Sequence, residues 1–417
     1  MDSPAKKPLR VLISGAGIAG PALAFWLGRL GHSCTIIERF SKLRAKGQQI
    51  DIRRQGVEAA QRMDILEEIR KRSVDEAGMQ FVNSSGKPFA VFPKLEMKPG
   101  EDRGQQGFSS EFEIMRGDLC ELLVEKTKGT AEYKFGLSVT GFENAADHVR
   151  VTFSDGTSNT YDMLVAADGQ GSRIRKMLLK DEDASVDYSR DLGVYMAYFS
   201  IPREPEDVGM ASIHVSPGER MIFTRFHSET QGQGYLCTMA HGEKIKEVLK
   251  QDIDKQKELF ADIFKDVGWQ SGRLIDAMQN SEDFYALSST QIRTKVWSKG
   301  RVVCLGDAGY GPTSLTGMGT SLALIGAYIL AGEISLSPDN AQQAFTAYER
   351  VLRPYVEKVQ QIPKGMPNLA YPKKQWGVKI LQLLLSATTT LKLDKAFQTR
   401  LVNRETWKLP EYPAMEI

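Results

Sequence analysis

The sequence predicts an α/β protein: a Rossmann-type domain on a parallel sheet, with an inserted antiparallel-sheet lobe and a C-terminal helical segment. Three observations predict it. The chain opens on a strand, a glycine turn, a helix and a second strand that closes on an acid. Between about residues 181 and 290, continuous apolar runs give way to alternating, aromatic-rich stretches. An apolar strand then returns at 301–305, ahead of a glycine-rich loop and an apolar helix. At 417 residues the chain also exceeds what one core usually serves, so two lobes with an extension are expected.

The elements follow in order. Residues 9–14 are largely apolar, as a parallel strand buried on both faces requires. Residues 21–30 read as a helix ended by Gly31, and 34–37 as the next strand, closing on Glu38. A short strand and a helix are expected over 49–64, a helix over 116–126, and strands over 133–143 and 148–153. Asp155-Gly156 sets a hairpin before a buried strand at 163–167, which ends on Asp168-Gly169. Strands at 194–201, 212–215, 221–226 and 235–239 make the antiparallel sheet, with charged helical sequence at 243–267. The last unit is the strand 301–305, the loop 306–319, an apolar helix at 320–334, and an amphipathic helix at 341–361 kinked at Pro354. The first domain is thus assigned 1–75, 105–180 and 291–360, the inserted lobe 76–104 and 181–290, and the helical segment 361–417.

Composition narrows the function. A net charge of +2 gives no electrostatic reason for a nucleic acid or an anionic membrane as partner. Four cysteines lie far apart with no C-x-x-C pair, so free core thiols are expected rather than disulfides. The five histidines have no metal-ligand spacing, and no metal is expected. The N-terminus has no apolar signal core, which favours a cytoplasmic protein. Residues 380–393 are apolar but shorter than the about 20 residues that span a bilayer. They read as a helix packed on the protein's own body, with peripheral membrane contact or a partner surface as the alternative.

Gly15-Ala16-Gly17-Ile18-Ala19-Gly20 is a G-x-G-x-x-G between a strand and a helix. Gly15 permits the tight turn, Gly17 lets a pyrophosphate approach the backbone, and Gly20 lets helix and strand pack closely. The helix N-terminus adds amide donors and a positive dipole end. Glu38 can accept ribose hydroxyls and would repel an adenosine 2′-phosphate, so the site suits FAD or NAD rather than NADP. Two further elements exceed a simple dehydrogenase's needs: Asp168-Gly169-x-x-Ser172-Arg173-x-Arg175, and Gly306-Asp307-Ala308 followed by Gly317-Met318-Gly319. Asp307 can accept hydrogen bonds from ribityl hydroxyls, and the helix opening at Gly319 and Thr320 can aim N–H groups at a flavin's pyrimidine edge. The plainer reading of that second element is a strand–turn–helix with an N-capping Asp.

In this order, the glycine turn with Glu38, Asp168-Gly169 and Gly306-Asp307 resemble the class A flavoprotein monooxygenases of the p-hydroxybenzoate hydroxylase fold. The resemblance covers about residues 9–353. It is strongest to tetracycline-inactivating and related natural-product monooxygenases, which share elements like Gly47-Gln48-Gln49-Ile50-Asp51-Ile52-Arg53 and the helix opening at Arg116. The resemblance implies FAD held by Gly15, Gly17, Ile18, Ala19, Gly20, Glu38, Arg39, Arg116, Asp168, Gly306, Asp307, Gly317, Met318, Gly319 and Thr320. It places Asp51 and Arg53 beside the flavin ring as catalytic candidates, where a solvated strand edge is the alternative. NADPH or NADH would reduce the flavin from a shallow groove, and no second G-x-G-x-x-G follows a strand. Oxygen transfer from a flavin C4a-hydroperoxide would hydroxylate, epoxidise or ring-expand a substrate. Two positions depart from the family's pattern: Tyr310 stands where His is frequent, and Ser314 where Pro is frequent, with Pro312 two residues earlier.

The substrate is expected between the flavin and the inserted lobe's sheet, against Tyr195, Phe199, Met221 and Phe223, with Arg225 and His227 as polar contacts. Ordinary packing is the competing reading for each. Such a cleft suits a phenol, polyketide or alkaloid. A halogenase is disfavoured, because the five tryptophans form no W-x-W-x-I-P element. A reductase of the same fold would turn over without consuming O₂. A non-enzymatic flavoprotein would not be reduced by NAD(P)H. A monomer or weak dimer is expected.

Overall fold

The computed structural model describes residues 7–43, 47–95, 107–183, 189–393 and 407–416. Residues 96–104 of the 76–104 segment lie outside them. The strand Arg10–Ser14 is central to a six-stranded sheet, parallel to Ser33–Glu38 on one side and Met163–Ala166 on the other. Val302–Cys304 extends the sheet beyond Met163–Ala166, and Ala131–Phe135 extends it beyond Ser33–Glu38. The side chains alternate between two cores, which is why these strands read as unbroken apolar runs. Val11, Ile13, Ile36 and Val165 face the helices Ala19–Arg29, Gly319–Leu336 and Ala341–Val359. Leu12, Ile37 and Leu164 face a small antiparallel sheet of Val139–Asn144, Val149–Phe153 and Ser158–Tyr161.

One expected element differs in detail. The single strand expected over 133–143 is two, because Gly136 at φ +74° turns the chain between them. Ala131–Phe135 closes one edge of the parallel sheet, and Val139–Asn144 begins the antiparallel one. The helix Ala341–Val359 continues through Pro354. The Asp155-Gly156 hairpin forms as expected, with Val149–Phe153 paired to Ser158–Tyr161.

The second sheet has seven strands in the order Tyr285–Ile292, Ser189–Pro202, Gln231–Thr238, Arg220–Phe226, Ala211–Ser216, Gly78–Val82 and Pro88–Pro93. One face is covered by the helices Gly242–Val248, Ile253–Phe264 and Ser271–Asn280, around Phe260, Phe264 and Leu274. The other face looks back toward the parallel sheet. A two-stranded ribbon, Gln49–Asp51 with Glu113–Met115, links the two bodies. Gln49 N–H donates to Gln233 Oε1 at 3.0 Å, and Gln233 Nε2 donates to the Gly47 carbonyl at 2.9 Å.

Among the described residues one helix, Gly319–Leu336, is long and apolar enough to cross a membrane, and 83% of it is buried inside the fold as a core helix. The four cysteines are free and buried. The apolar C-terminal segment forms the helix Gln375–Thr390, and only one side of it packs on the body. Leu381 and Leu385 meet Ala90, Phe92 and Phe108, and Ser386 Oγ donates to the Phe89 carbonyl at 3.1 Å. The expectation of a helix packed on the protein's own body therefore holds, among the described residues, for one side of it.

Candidate active site

Between the two sheets lies a cavity of about 940 Å³. Its parallel-sheet side is made by loops at the C-terminal ends of strands, where such sheets leave a crevice. Gly15, Gly17, Ile18, Ala19, Glu38, Arg39, Arg116, Asp168, Asp307, Gly317, Gly319 and Thr320 all line it. Three loops separated by about 150 residues each thus converge on one space. Gly20, Gly306 and Met318 stand behind these linings rather than in them, and Met318 is buried in the core.

The glycine turn has the clearances a nucleotide needs. A Cβ on Gly15 would lie 2.3 Å from the Ala167 carbonyl oxygen, and one on Gly20 2.1 Å from the Gly15 carbonyl oxygen. Those two positions seal turn, strand and helix together. A Cβ on Gly17 would meet nothing nearer than Arg116 Nη2, 3.7 Å away, so backbone is open toward a cation there. Glu38 fixes the turn by accepting from Ala16 N–H at 3.1 Å and from Phe40 N–H at 3.2 Å.

Asp168 Oδ2 accepts from Arg173 N–H at 3.0 Å, whereas its buried Oδ1 has no partner among the described residues. Burial raises the Asp168 carboxyl above its ordinary range, opposed by the hydrogen bonds from Ser172 and the following amides. Burial likewise raises Asp307, with Arg116 and Arg175 opposing it. Arg175 ties the two loops: Nη1 donates to the Ala308 carbonyl and Nη2 to the Gln170 carbonyl, both at 2.7 Å. An orphaned carboxylate oxygen, an acid between two guanidinium groups and an open glycine turn fit a ligand with phosphates and hydroxyls. FAD is such a ligand.

The departures in the third loop have visible consequences. Tyr310 turns away from the cavity, and its hydroxyl meets that of Tyr348 at 2.7 Å beneath Trp297. Ser314 lines the cavity, and the preceding Thr313 sits at φ +87°, a strained position held by a hydrogen bond between its hydroxyl and that of Ser289.

On the seven-stranded side, Met221, Phe223 and Arg225 line the cavity. Tyr195 and Phe199 do not. Successive residues of a strand face opposite sides, and Tyr195 and Phe199 point into the helix-covered core with Ile222 and Leu236. Their neighbours Met196 and Tyr198 face the cavity instead. Tyr198 stacks on Tyr285 at 4.9 Å and 12°, and meets Tyr235 edge-on at 4.9 Å, while Tyr235 lies 4.7 Å from Phe223. His227 does not line the cavity.

Where the walls meet sits a buried group of charges. Arg225 donates to Glu76 at 2.7 and 3.0 Å and to Glu113 at 2.7 Å. Glu113 lies directly across the ribbon from cavity-lining Asp51. Arg53 is not in the lining: Nη2 bonds Asp51 Oδ2 at 3.1 Å, and its other bonds go to the Gly107 and Phe108 carbonyls. It orients Asp51 rather than meeting a ligand from the open cavity. Three carboxylates therefore share two guanidinium groups. Burial, and then the charges of Asp51 and Glu76, push Glu113 well above the usual carboxyl range against the pull of Arg225. Sequence reading missed Glu76 and Glu113. The available signal was Glu113 inside the apolar run Phe112–Ile114, since an acid buried there demands a partner.

Converging phosphate-type loops opposite an aromatic sheet define a flavin-type oxidoreductase. The family described as FAD binding domain matches residues 8–362. The FAD-dependent monooxygenase asL4 of Sarocladium schorii is 36% identical, the alignment covering 98% of this chain and 99% of that protein. The flavin-dependent monooxygenase eupH of a Phoma species is 38% identical over 97% of each chain. Among solved structures, the tetracycline destructase Tet(51) superposes with a TM-score of 0.75 at 29% identity, covering 97% of this chain and all of that one. The chain belongs to the FAD-binding-domain family and is a class A FAD-dependent monooxygenase.

Proposed function

We propose that this monooxygenase uses NADPH or NADH and O₂ to insert one oxygen atom into an aromatic or polycyclic small molecule, a secondary metabolite by nature. The observation that carries the reading is one cavity shared by the three glycine–acid loops and the Tyr198–Tyr235–Phe223 face. The similarity to a protein named for destroying a tetracycline supports a polycyclic substrate. Hydroxylation is the first expectation, with epoxidation and Baeyer–Villiger insertion as variants.

Bound in the cavity, FAD supplies hydride acceptance and oxygen activation. The chain supplies the rest. The turn from Gly15 to Ala19 and the helix behind it hold the pyrophosphate, and Glu38 takes ribose hydroxyls while it braces that turn. Arg116 serves the phosphate or ribityl region, Asp307 the ribityl hydroxyls, and the amides near Gly317, Gly319 and Thr320 the pyrimidine edge. Asp168 serves FAD and the passing nicotinamide. Asp51 faces the reaction space, and Glu113, whose carboxyl burial raises, lies directly across the ribbon from it, shielded from water. Met221, Phe223 and Arg225, with Met196, Tyr198 and Tyr235, orient the substrate and exclude water.

On this reading 1–75, 105–180 and 291–360 form the cofactor domain, and 76–104 and 181–290 form the substrate lobe. The enzyme works in the cytoplasm as a monomer or weak dimer. The test is a panel of phenolic and polycyclic compounds, followed by NAD(P)H oxidation, O₂ uptake and product mass. Substrate-stimulated turnover with a gain of one oxygen atom is expected; turnover without O₂ uptake overturns it in favour of a reductase.

A further inference from the structure

The helix Gln375–Thr390 has two apolar sides, and among the described residues the body covers only one. The other carries Trp376, Ile380, Leu383 and Leu384, continued by Leu391 just past the helix end. Their spacing is that of one side of a 3.6-residue helix. Leu383 is 70% exposed and Trp376 65%. An isolated exposed leucine needs no explanation, but a continuous stripe marks a contact surface.

Charge identifies the contact. Residues 362–393 contain five lysines (Lys364, Lys373, Lys374, Lys379 and Lys392) and no Asp or Glu, in a chain whose overall charge is only +2; Lys373 pairs with Glu219 at 3.6 Å, which leaves the segment a net surplus of four positive charges. Such a face repels a second copy of itself, because a two-fold interface would bring like charges together. It complements an anionic bilayer, where lysines reach the headgroups, tryptophan sits at the interface and leucines enter the acyl boundary. Sixteen helical residues make about 24 Å, short of the roughly 30 Å of a hydrocarbon core, so this helix lies on a bilayer rather than across it.

Its position has a consequence for catalysis. The turn leading into the helix places Met366, Pro367, Ala370 and Tyr371 in the lining of the main cavity, and Leu369 between them is exposed. We propose that the face Trp376–Ile380–Leu383–Leu384–Leu391, with its lysines, docks the enzyme on an anionic lipid surface and sets the cavity rim against it. Uptake of an apolar substrate from the bilayer then rests on the substrate class proposed above; docking itself does not.

The experiment is flotation of the full-length, FAD-loaded protein with phosphatidylcholine vesicles, alone or mixed with phosphatidylserine. Wild type is expected to float with the mixed vesicles, and about tenfold or more weakly with phosphatidylcholine alone or in high salt. Leu383→Asp/Leu384→Asp and, separately, Lys374→Glu/Lys379→Glu should each lower flotation by about tenfold or more while bound-FAD absorbance is retained. Wild type left unfloated by both vesicle types overturns the proposal, as does a Leu383→Asp/Leu384→Asp variant that floats like wild type. A dimer in light scattering that this variant returns to monomer, without vesicle binding, reassigns the stripe to self-association. Failure of the oxygenase reading would appear in turnover and mass, and would leave flotation unchanged.

Discussion

On its parallel-sheet side the cavity is bounded by glycine-rich loops and their acids: the turn at Gly15 with Glu38, the Asp168-Gly169 bend and the loop from Asp307 to Gly319. On its seven-stranded side it is bounded by side chains: Met196, Tyr198, Met221, Phe223 and Tyr235. The first wall must present amides and acids to a fixed cofactor, which constrains residue type position by position. The second need only be apolar and well packed, which many sequences satisfy. The loop wall is therefore written in motifs, whereas the sheet wall, proposed above to meet the substrate, is written in strand parity and in one buried charge group.

The sharpest way to break that comparison is at Arg225, where the substrate wall also depends on a specific residue. Arg225→Ala leaves Glu76 and Glu113 buried without their cation, and should cost about 3–5 kcal/mol of unfolding free energy in denaturant titrations. A variant within 1 kcal/mol of wild type, about the size of a single hydrogen bond, would show the charges to be independent. Next come the two faces of one strand. Phe199→Ala should cost about 3–5 kcal/mol with KM for the substrate little changed, because Phe199 faces the helices. Tyr198→Phe should do the reverse, altering KM several-fold at nearly unchanged stability, and equal effects on KM would undo the face assignment.

On the cofactor wall, Asp307→Ala should weaken FAD retention by about 10- to 100-fold, read by equilibrium dialysis of the folded apoprotein. Unchanged retention would remove its assigned role. The smallest effect concerns Glu113. Its carboxyl stays protonated in the folded state at pH values where the unfolded chain has lost that proton. The unfolded state then binds fewer protons, so this group's contribution to stability falls as pH rises from the ordinary glutamate range toward the raised value. Glu113→Gln should flatten that part of the Tm-against-pH curve. An unaltered slope would mean that Glu113 is ionised beside Asp51.

The parallel sheet, the glycine turn and its acid, the Asp168 and Asp307 loops, and the alternating strands of the second lobe were legible along the chain. Local periodicity and turn chemistry report themselves within a few residues. Less was legible where a local pattern admits two answers. Along 194–201 Met196 and Tyr198 face the cavity while Tyr195 and Phe199 face the helices, and nothing in the strand says which set does, because aromatic side chains occupy both. Arg53 also reads as a ligand-facing cation until the carbonyls of Gly107 and Phe108 come into place.

By itself, then, the sequence determined that a strand–turn–helix would cradle a nucleotide, since glycine clearances and a helix N-terminus are properties of a dozen consecutive residues. Only the tertiary structure decided which side of the second sheet faces the cavity, that Glu76, Glu113 and Asp51 share two arginines, and that one side of the helix Gln375–Thr390 stays uncovered among the described residues. Each of those depends on residues dozens to hundreds of positions apart, and their proximity is set by how the two sheets pack, which no local pattern encodes.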